Sequence, residues 1–471
     1  MKCVLAMPSW ELSDSHTKAM RSTVAGIWPP PGLMSIAAVL REAGHDVTIL
    51  DGTLLSHKKI LDGIRKIMPS FVGISSVSLM WPKAIVLAKE IKKIDSDIYV
   101  AAGGPGPSYF REKCFEETDC IDALVIREGE YTVREMVARL EKGEDLKGCQ
   151  GTILKTKDGI IHNPERPLIE NLDELPPYAI DMVDMHAYQP PVGHFSRLPI
   201  AQMMSARGCH LKCIYCYRVN GKSIRLRSAK NVVDEMEYYV ENFGVKEIKF
   251  WDDLFTYDKQ RVLDICDEII KRRLDITWFC ASRVDTINEE MLKRMAEAGC
   301  WCILYGIETG VPKNQKTIKK NLDLSRVEQT IRLTHKYRIK SFATFILGIP
   351  GETYEEGLQT IEFAKKINAF YTEFFTFTPF PGSPVYENIE KLGTLSSKLE
   401  DIGMHKMGFV PFSMTRDQLT TLCSKAYRSV YMRPQYVIRL FLSIRSWLDV
   451  KNILRGAVGI SNMLLGRHTA D

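Results

Sequence analysis

The chain has 471 residues, which at about 150 residues per domain leaves room for about three domains. Apolar residues make up 45% and charged residues 26%, a composition that supports folded cores and excludes a disordered chain. The net charge of +5 is too small over this length to indicate a nucleic-acid-binding surface, and no apolar run approaches the roughly 20 residues of a membrane span. The N-terminus lacks the apolar length of a signal peptide, so we expect a cytoplasmic protein.

Strand-like and helical patterns alternate over residues 1–145, which predicts an α/β domain with a parallel, Rossmann-like sheet. The predicted strands are Lys2–Met7, Asp46–Leu50, Phe71–Ser75, Ile98–Ala102 and Ala123–Ile126. A helix is predicted over Met34–Ala43, and Ser56 is the predicted N-cap of the next one. Ligands of such sheets bind at the carboxyl ends of the strands. The small or polar residues at these ends are Ser75, Ser76, Gly103, Gly104, Glu128 and Gly129.

Residues 146–197 break this alternation. Thr152–Lys155 and Ile160–His162 flank Asp158-Gly159, a hairpin signal, and the stretch that follows is rich in proline and acidic residues. We therefore predict a linker that contains a hairpin.

Residues 198–385 resume the alternation with six strand-like runs, most of them followed by a helical pattern. The runs are Pro199–Met203, Lys246–Phe250, Ile276–Cys280, Trp301–Tyr305, Lys340–Phe345 and Tyr371–Phe377. Six β/α units predict a partial TIM-like barrel, because eight would be needed to close it. Polar or glycine-containing motifs follow successive strands, where the chemistry of such barrels lies. Residues 386–471 are predicted to be a helical C-terminal region.

The most specific motif is a cysteine loop after the first of these strands, with the spacing C-x3-C-x2-C. Its cysteines are Cys209, Cys213 and Cys216. Three soft thiolates on short spacers can bind an iron–sulfur cubane from one side. Three ligands for four irons leave one iron open. A structural zinc loop, or cysteines that are simply buried and reduced, is the alternative, although no second C-x2-C pair is evident.

This loop resembles the cluster-binding motif of the radical S-adenosylmethionine (radical SAM) enzymes, including the aromatic Tyr215 before the last cysteine. The resemblance implies a [4Fe–4S] cluster on the three cysteines, with SAM bound to the unique iron. It also implies anaerobic cleavage of SAM to a 5′-deoxyadenosyl radical. Asp252 resembles the family's second-strand residue near the SAM amino group. Arg283 is expected to pair with the SAM carboxylate, and Glu308 with the ribose hydroxyls.

The N-terminal domain lacks the G-x-G-x-x-G motif of dinucleotide-binding domains. Its order of motifs is similar to that of the cobalamin-binding radical SAM subfamily: Trp28–Met34, Leu40–Val47, Gly103–Pro105 and Arg127–Glu130. The resemblance implies that the strand-end residues named above bind cobalamin. The D-x-H-x-x-G motif of other cobalamin proteins is absent. Asp14-Ser15-His16 comes close, but alanine replaces the glycine, so His16 is expected to be a loop residue rather than a cobalt ligand.

Apolar and basic residues recur at helical spacing from Tyr436 to Arg455. A basic amphipathic helix of this kind packs on its own protein or lies on an anionic bilayer, and the first interpretation is the commoner one.

The sequence thus predicts a cobalamin-dependent radical SAM enzyme that methylates an unactivated carbon. An oxidative cyclase of the anaerobic tetrapyrrole ring-closure type is the alternative, and a non-catalytic metal- or corrinoid-binding module is a second one. The expected partners are a small-molecule or lipid substrate and an electron donor such as flavodoxin or ferredoxin. Nucleic acid is not expected as a partner. Peripheral contact of the C-terminal helix with a membrane is a further candidate interaction.

Overall fold

The computed structural model describes residues 1–10, 26–404 and 406–464. These residues form two compact α/β units. The first holds residues 1–10, 27–189 and 219–221, and the second holds the remaining described residues.

The first unit contains a seven-stranded sheet with helices between its parallel strands. Its strands are β1 (Lys2–Met7), β2 (Asp46–Asp51), β3 (Phe71–Ser75), β4 (Tyr99–Gly103), β5 (Ala123–Val125), β6 (Thr152–Thr156) and β7 (Gly159–His162). Its helices are α1 (Pro31–Glu42), α2 (His57–Ile67), α3 (Trp81–Ile94), α4 (Pro105–Phe110) and α5 (Glu130–Glu141). The strand order is β2-β1-β3-β4-β5-β6-β7.

The first five strands pair in parallel and carry short apolar runs, because helices cover both faces of such a sheet. Val4 at the centre of β1 is fully buried, and Ile60, Trp81 and Ile91 pack in the same core from the flanking helices. The Ser56 hydroxyl accepts a hydrogen bond from the Lys59 amide at 3.3 Å, which confirms the predicted N-cap of α2.

The segment predicted as a linker contributes to this sheet. Strands β6 and β7 form the expected hairpin around Asp158-Gly159, and β6 pairs antiparallel with β5. Ile153 and Leu154 of β6 are buried, so the hairpin extends the core of the first unit. The pairing of β6 with β5 joins residues 27 to 31 positions apart in the sequence, and the local hairpin signal carries no information about it.

The second unit is built on six parallel strands: β8 (Ile200–Met203), β11 (Glu247–Phe250), β12 (Thr277–Ser282), β13 (Cys300–Glu308), β14 (Lys340–Leu347) and β15 (Tyr371–Thr376). Two antiparallel pairs accompany them: β9 (Ala206–Arg207) with β10 (Arg225–Leu226), and β16 (Gly393–Leu395) with β17 (Phe409–Pro411). The helices are α6 (Ala229–Phe243), α7 (Lys259–Arg272), α8 (Glu289–Glu297), α9 (Pro312–Thr317), α10 (Leu324–Lys336), α11 (Tyr354–Ile367), α12 (Arg416–Tyr431), α13 (Pro434–Leu442) and α14 (Trp447–Leu464).

The six strands lie in the order β8-β11-β12-β13-β14-β15, which confirms the predicted partial (β/α)6 barrel. Phe250, Phe255 and Trp278 form an aromatic core against the first strands, with ring centroids 4.7–5.8 Å apart. Because all six strands are parallel, their carboxyl ends lie on one side of the sheet, and the segments that follow them are brought together there.

The C-terminal region differs from the sequence-based prediction in two ways. It contains the short β16–β17 hairpin, and the helix predicted over Tyr436–Arg455 is two helices, α13 and α14. The break lies where the Asp449 carboxylate accepts hydrogen bonds from the Ser446 amide and hydroxyl, while the Ser446 hydroxyl accepts one from the Asp449 amide. This capping arrangement starts a new helix at Trp447. Within the described ranges, no helix is both long and apolar enough to cross a membrane.

Substitution of Gly104 tests how tightly the backbone packs at the strand ends. Gly104 has a φ of +100°, and an added Cβ would lie 2.8 Å from the Ser76 carbonyl oxygen. Gly44 also has a positive φ, +86°, but open space around its Cα. We expect Gly104→Ala to lower the free energy of unfolding by at least about 1 kcal/mol more than Gly44→Ala, because only the first adds a clash to the left-handed strain. Chemical denaturation measures both losses. Equal losses of unfolding free energy would show that the Ser76 backbone moves away from the added Cβ without cost.

Candidate active site

The cysteine loop follows β8 and lies against the segments that follow two other strands. The Ile214 amide donates to the Ile318 carbonyl at 3.1 Å, and the Ile214 carbonyl accepts from the Val385 amide at 3.0 Å. Cys213 is buried, whereas Cys209 and Cys216 are half-buried. The loop is therefore anchored at the carboxyl side of the sheet, as the motif order predicts.

All twelve cysteines of the chain are free thiols. Burial raises the pKa of Cys209, and it raises the pKa of Cys216 to about 12, with a further contribution from the nearby Asp253 charge. Iron binding must therefore displace a proton from these thiols. In the part of the chain that the structure describes, no three metal-ligating side chains converge on one point. A cubane does not require that, because each of its three thiolates binds a different iron.

The start of the loop is held by a buried carboxylate, that of Asp252, which follows β11. One Asp252 oxygen accepts from the Ser205 amide at 2.6 Å and the Ala206 amide at 3.0 Å, and the other accepts from the Ser205 hydroxyl. Arg261 donates to the Ser205 carbonyl at 2.7 Å. Burial raises the pKa of Asp252, and the Arg261 charge opposes that shift. In this structure Asp252 positions the loop, and its contact with SAM stays a prediction.

Glu308, Lys320 and Tyr215 form a second polar group beside the loop. The Glu308 carboxylate accepts from the Lys320 ammonium at 2.6 Å and from the Tyr215 hydroxyl at 3.1 Å. The side chains of the Glu308–Lys320 ion pair are each only 9% exposed. Burial and the Glu308 charge raise the pKa of Tyr215 well above its usual value, so its hydroxyl stays a donor.

The backbone at Glu308 is strained. Glu308 has a φ of +70°, and the pairing of β13 with β14 shifts between Gly306 and Glu308. A Cβ at Gly306 would lie 2.6 Å from the Glu308 carboxylate and 2.7 Å from the Lys320 ammonium. Glycine at 306 therefore leaves the space that the ion pair occupies. Such strain is often retained at functional sites.

Arg283 lies at the end of β12. Its Nε and Nη2 atoms donate to the two Asp285 oxygens at 2.9 and 2.7 Å, and Nη2 also reaches the Lys320 carbonyl. Two of the guanidinium nitrogens are therefore paired with the Asp285 carboxylate. Nη1 is buried and has no hydrogen-bond partner in the structure, so it is the atom available to an anionic ligand.

These residues fit a cluster that binds an amino-acid-bearing ligand. The donor set is three soft thiolates, which suit iron–sulfur clusters. The Arg283 guanidinium interacts electrostatically with Cys213, so it lies near the cysteine loop. Its buried Nη1 atom, which has no hydrogen-bond partner among the described residues, can donate to a carboxylate.

Four of the predicted cobalamin residues come together at the ends of β3 and β4 in the first unit. Ser75 pairs with Gly103, and the Ser76 amide donates to the Gly103 carbonyl at 2.9 Å. Gly104 is the N-cap of α4 and approaches Ser76 closely. The adjacent Val77 side chain is 47% exposed. A strand edge of small residues with one exposed apolar side chain fits a bulky, partly apolar ring system.

Glu128 and Gly129 follow β5, the neighbouring strand. The Glu128 carboxylate accepts from the Ile169 amide at 2.7 Å, and a Cβ at Gly129 would lie 3.0 Å from Ile36. Both residues therefore have a structural role in the first unit, and their contact with cobalamin stays a prediction. His16 lies outside the described residues.

Comparisons with known proteins agree with this architecture. Residues 203–364 match the radical SAM superfamily, and residues 17–137 match the B12 binding domain. The chain is 34% identical to "Uncharacterized methyltransferase PH0819" of Pyrococcus horikoshii, over 98% of both chains. It is 26% identical to the anaerobic magnesium-protoporphyrin IX monomethyl ester cyclase of Rubrivivax gelatinosus, over 88% of this chain and 76% of the relative.

Among solved structures, the cobalamin-dependent S-adenosylmethionine radical enzyme OxsB with aqua-cobalamin bound aligns with a TM-score of 0.73. The alignment covers 98% of this chain and 72% of that one at 15% identity, so it shows a shared fold. The second unit, with its cysteine loop, defines a radical SAM enzyme. With its B12 binding domain, the chain belongs to the cobalamin-binding radical SAM family. Its cofactors are a [4Fe–4S] cluster, SAM and cobalamin, and the zinc-loop and non-catalytic alternatives are set aside.

Two residues around the site were not predicted from the sequence: Lys320 and Arg261. Lys320 is one of two adjacent lysines after a short helix, and nothing in its neighbourhood indicates a buried ion pair. Glu352 lies in the glycine-rich loop after β14 and is fully buried. Its carboxylate accepts from the Gly348 amide at 2.6 Å and from the Asn314 side chain at 3.2 Å.

The buried ion pair can be tested against an exposed one. We expect Lys320→Met to lower the free energy of unfolding by about 3–5 kcal/mol, because it leaves the Glu308 carboxylate buried and unpaired. Lys313→Met is the control. The Lys313 side chain is 59% exposed and pairs with Glu356 at 2.8 Å, so its loss should cost under about 1 kcal/mol. Chemical denaturation distinguishes the two. Similar losses would mean that water reaches the Glu308–Lys320 pair.

Glu352 makes stability depend on pH. Burial raises its pKa from 4.5 to about 8, so between these values the folded chain holds a proton that the unfolded chain has released. The free energy of unfolding should therefore fall by up to about 1.4 kcal/mol per pH unit from this group as pH rises through that range. Glu352→Gln should remove this contribution and give a flatter dependence of the free energy of unfolding on pH between about pH 5 and 8. Parallel profiles for the wild type and the variant would contradict the assignment.

Proposed function

We propose that this enzyme transfers a methyl group to an unactivated carbon of a small-molecule substrate, using a 5′-deoxyadenosyl radical formed from SAM. The observation that carries the proposal is the anchored loop of Cys209, Cys213 and Cys216 at the carboxyl ends of six parallel strands. The B12 binding domain in the same chain adds a methyl carrier.

The bound cofactors supply electron transfer to SAM and a cobalt centre that carries methyl groups. The residues of this chain bind and orient the cofactors and the substrate, and they exclude water from the site. The three thiolates would hold the cluster, and Asp252 keeps the start of their loop in place through the Ser205 and Ala206 amides. The free Nη1 of Arg283 would hold the SAM carboxylate.

Glu308 would accept hydrogen bonds from the ribose hydroxyls of SAM. Its carboxylate already accepts from Lys320 and Tyr215, which hold it in one orientation. A carboxylate that is held in advance loses little side-chain entropy when the ligand binds. Ser75, Ser76, Gly103, Gly104, Glu128 and Gly129 would contact cobalamin in the first unit.

Methyl transfer is favoured over oxidative cyclisation by the comparisons. The relative that is 34% identical over nearly the full length is named a methyltransferase, whereas the cyclase is 26% identical and less fully covered. Cyclisation is the second candidate because that cyclase still aligns over most of both chains.

The proposal includes a cytoplasmic, anaerobic setting and a one-electron donor such as flavodoxin or ferredoxin. A small-molecule substrate, of which a lipid is one class, completes the set of partners. The electron donor is part of the proposal because cleavage of SAM to a 5′-deoxyadenosyl radical consumes one electron.

Oxygen-free reconstitution tests the proposal. We expect the wild type to bind iron and sulfide and to form 5′-deoxyadenosine when reductant and SAM are added. Cys213→Ala should abolish cluster binding and 5′-deoxyadenosine formation, because two thiolates do not hold the cluster. Cys120→Ser is the matched control, since Cys120 is a half-buried thiol of the first unit, and it should behave like the wild type.

The same assay separates the two reactions by their products. Methyl transfer requires S-adenosylhomocysteine in addition to 5′-deoxyadenosine, whereas cyclisation forms no homocysteine product. S-adenosylhomocysteine that depends on added cobalamin supports the proposal. Its absence, with 5′-deoxyadenosine still formed, would favour the cyclase.

A further inference from the structure

The segment from Met432 into the last helix exposes an unusual number of apolar side chains. Of the twenty large apolar side chains that are exposed in the described ranges, eight lie between residues 432 and 458. They are Met432, Val437, Ile438, Phe441, Leu442, Trp447, Leu454 and Val458. Single exposed apolar residues are normal, but many of them within one short segment are typical of an interaction site. We call these eight residues the C-terminal apolar surface.

In α13 this surface is one face of a helix whose other face is already packed. Val437, Ile438, Phe441 and Leu442 follow the spacing i, i+1, i+4, i+5, and Phe441 and Leu442 are 63% and 69% exposed. On the opposite side Tyr436 is buried, and the neighbouring Arg439 donates to the Asn368 and Ala369 carbonyls at 2.8 and 2.7 Å. The apolar face of α13 therefore stays exposed although the helix packs on the protein.

The exposed residues of α14 form a narrow stripe. Trp447, Lys451, Leu454 and Val458 recur at i, i+4, i+7 and i+11, which places them on one side of the helix. Trp447 is 72% exposed, more than any other large apolar side chain in the described residues. Another side of α14 carries Gly456, whose Cα is close to Val192.

The net charge of residues 432–464 indicates the chemistry of the partner. Residues 432–464 contain five basic residues and one acidic residue, a net charge of +4. The single acidic group, Asp449, caps α14 through Ser446. Arg445 and Lys451 are exposed and flank Trp447 in the sequence, and the Arg445 Nη1 atom donates to the Leu442 and Ile444 carbonyls. Apolar side chains, an exposed tryptophan and flanking cations match the interface of an anionic bilayer.

We propose that α13 and α14 form a peripheral docking surface for anionic lipid membranes. The helices lie along the bilayer surface, with the C-terminal apolar surface among the acyl chains near the headgroups and Arg445 and Lys451 at the phosphates. Neither helix crosses the bilayer. The proposal is independent of the methyl-transfer reaction, because it needs no cofactor chemistry.

Vesicle flotation with the full-length, oxygen-free protein tests the proposal. We expect binding to phosphatidylcholine vesicles that contain phosphatidylglycerol, weaker binding to phosphatidylcholine alone, and release as salt is raised. The double variant Phe441→Ser, Trp447→Ser should weaken binding at least about tenfold, because two large apolar anchors are lost. Lys451→Glu should weaken it at least about fivefold on anionic vesicles.

Phe412→Ser is the matched control. Phe412 is 70% exposed but lies outside the C-terminal apolar surface, so its loss should leave vesicle binding unchanged. Circular dichroism should show all variants folded. Failure of the wild type to bind anionic vesicles, or equal binding by the double variant, would overturn the proposal. A dimer of the wild type in light scattering that the double variant abolishes, without vesicle binding, would assign the surface to a second copy instead.

Discussion

The candidate active site depends on a buried carboxylate that holds the start of the cysteine loop. Asp252 accepts hydrogen bonds from two successive backbone amides, those of Ser205 and Ala206, and Arg261 binds the Ser205 carbonyl from the other side. A loop that leaves a strand has unpaired backbone groups, and in a dry environment each of these is costly. The Asp252 side chain, which follows β11, and the Arg261 side chain of α7 satisfy these groups and tie the loop to the barrel.

A second constraint concerns charge beside the loop. The Glu308–Lys320 pair is buried, so it persists only because each charge has a close partner and Tyr215 supplies a further hydrogen bond. Gly306 leaves room for the pair, and the positive φ of Glu308 is the local cost of aiming its carboxylate there. Lys320 also joins this group to Arg283 through its backbone carbonyl. One segment after α9 therefore orients polar groups from two different strands.

The C-terminal helices follow a different logic from the two α/β units. Their inner sides are anchored by hydrogen bonds and packing, and the outer side of α13 is apolar over two turns. Burying apolar side chains is the main favourable term in folding, so an anchored helix that leaves its largest apolar side chains exposed has not been shaped by folding alone. The proposed docking on a membrane surface would account for both the apolar and the cationic residues of the segment.

The sequence by itself determined the elements and the chemistry class. Short apolar runs such as Lys2–Met7, punctuated by glycine and by caps such as Ser56, are local signals, and the spacing of Cys209, Cys213 and Cys216 is a local pattern as well. Only the tertiary structure decided that β6 pairs with β5 and that Lys320 meets Glu308. Those outcomes depend on which distant segments come together and how much water is excluded between them, and no local pattern encodes that.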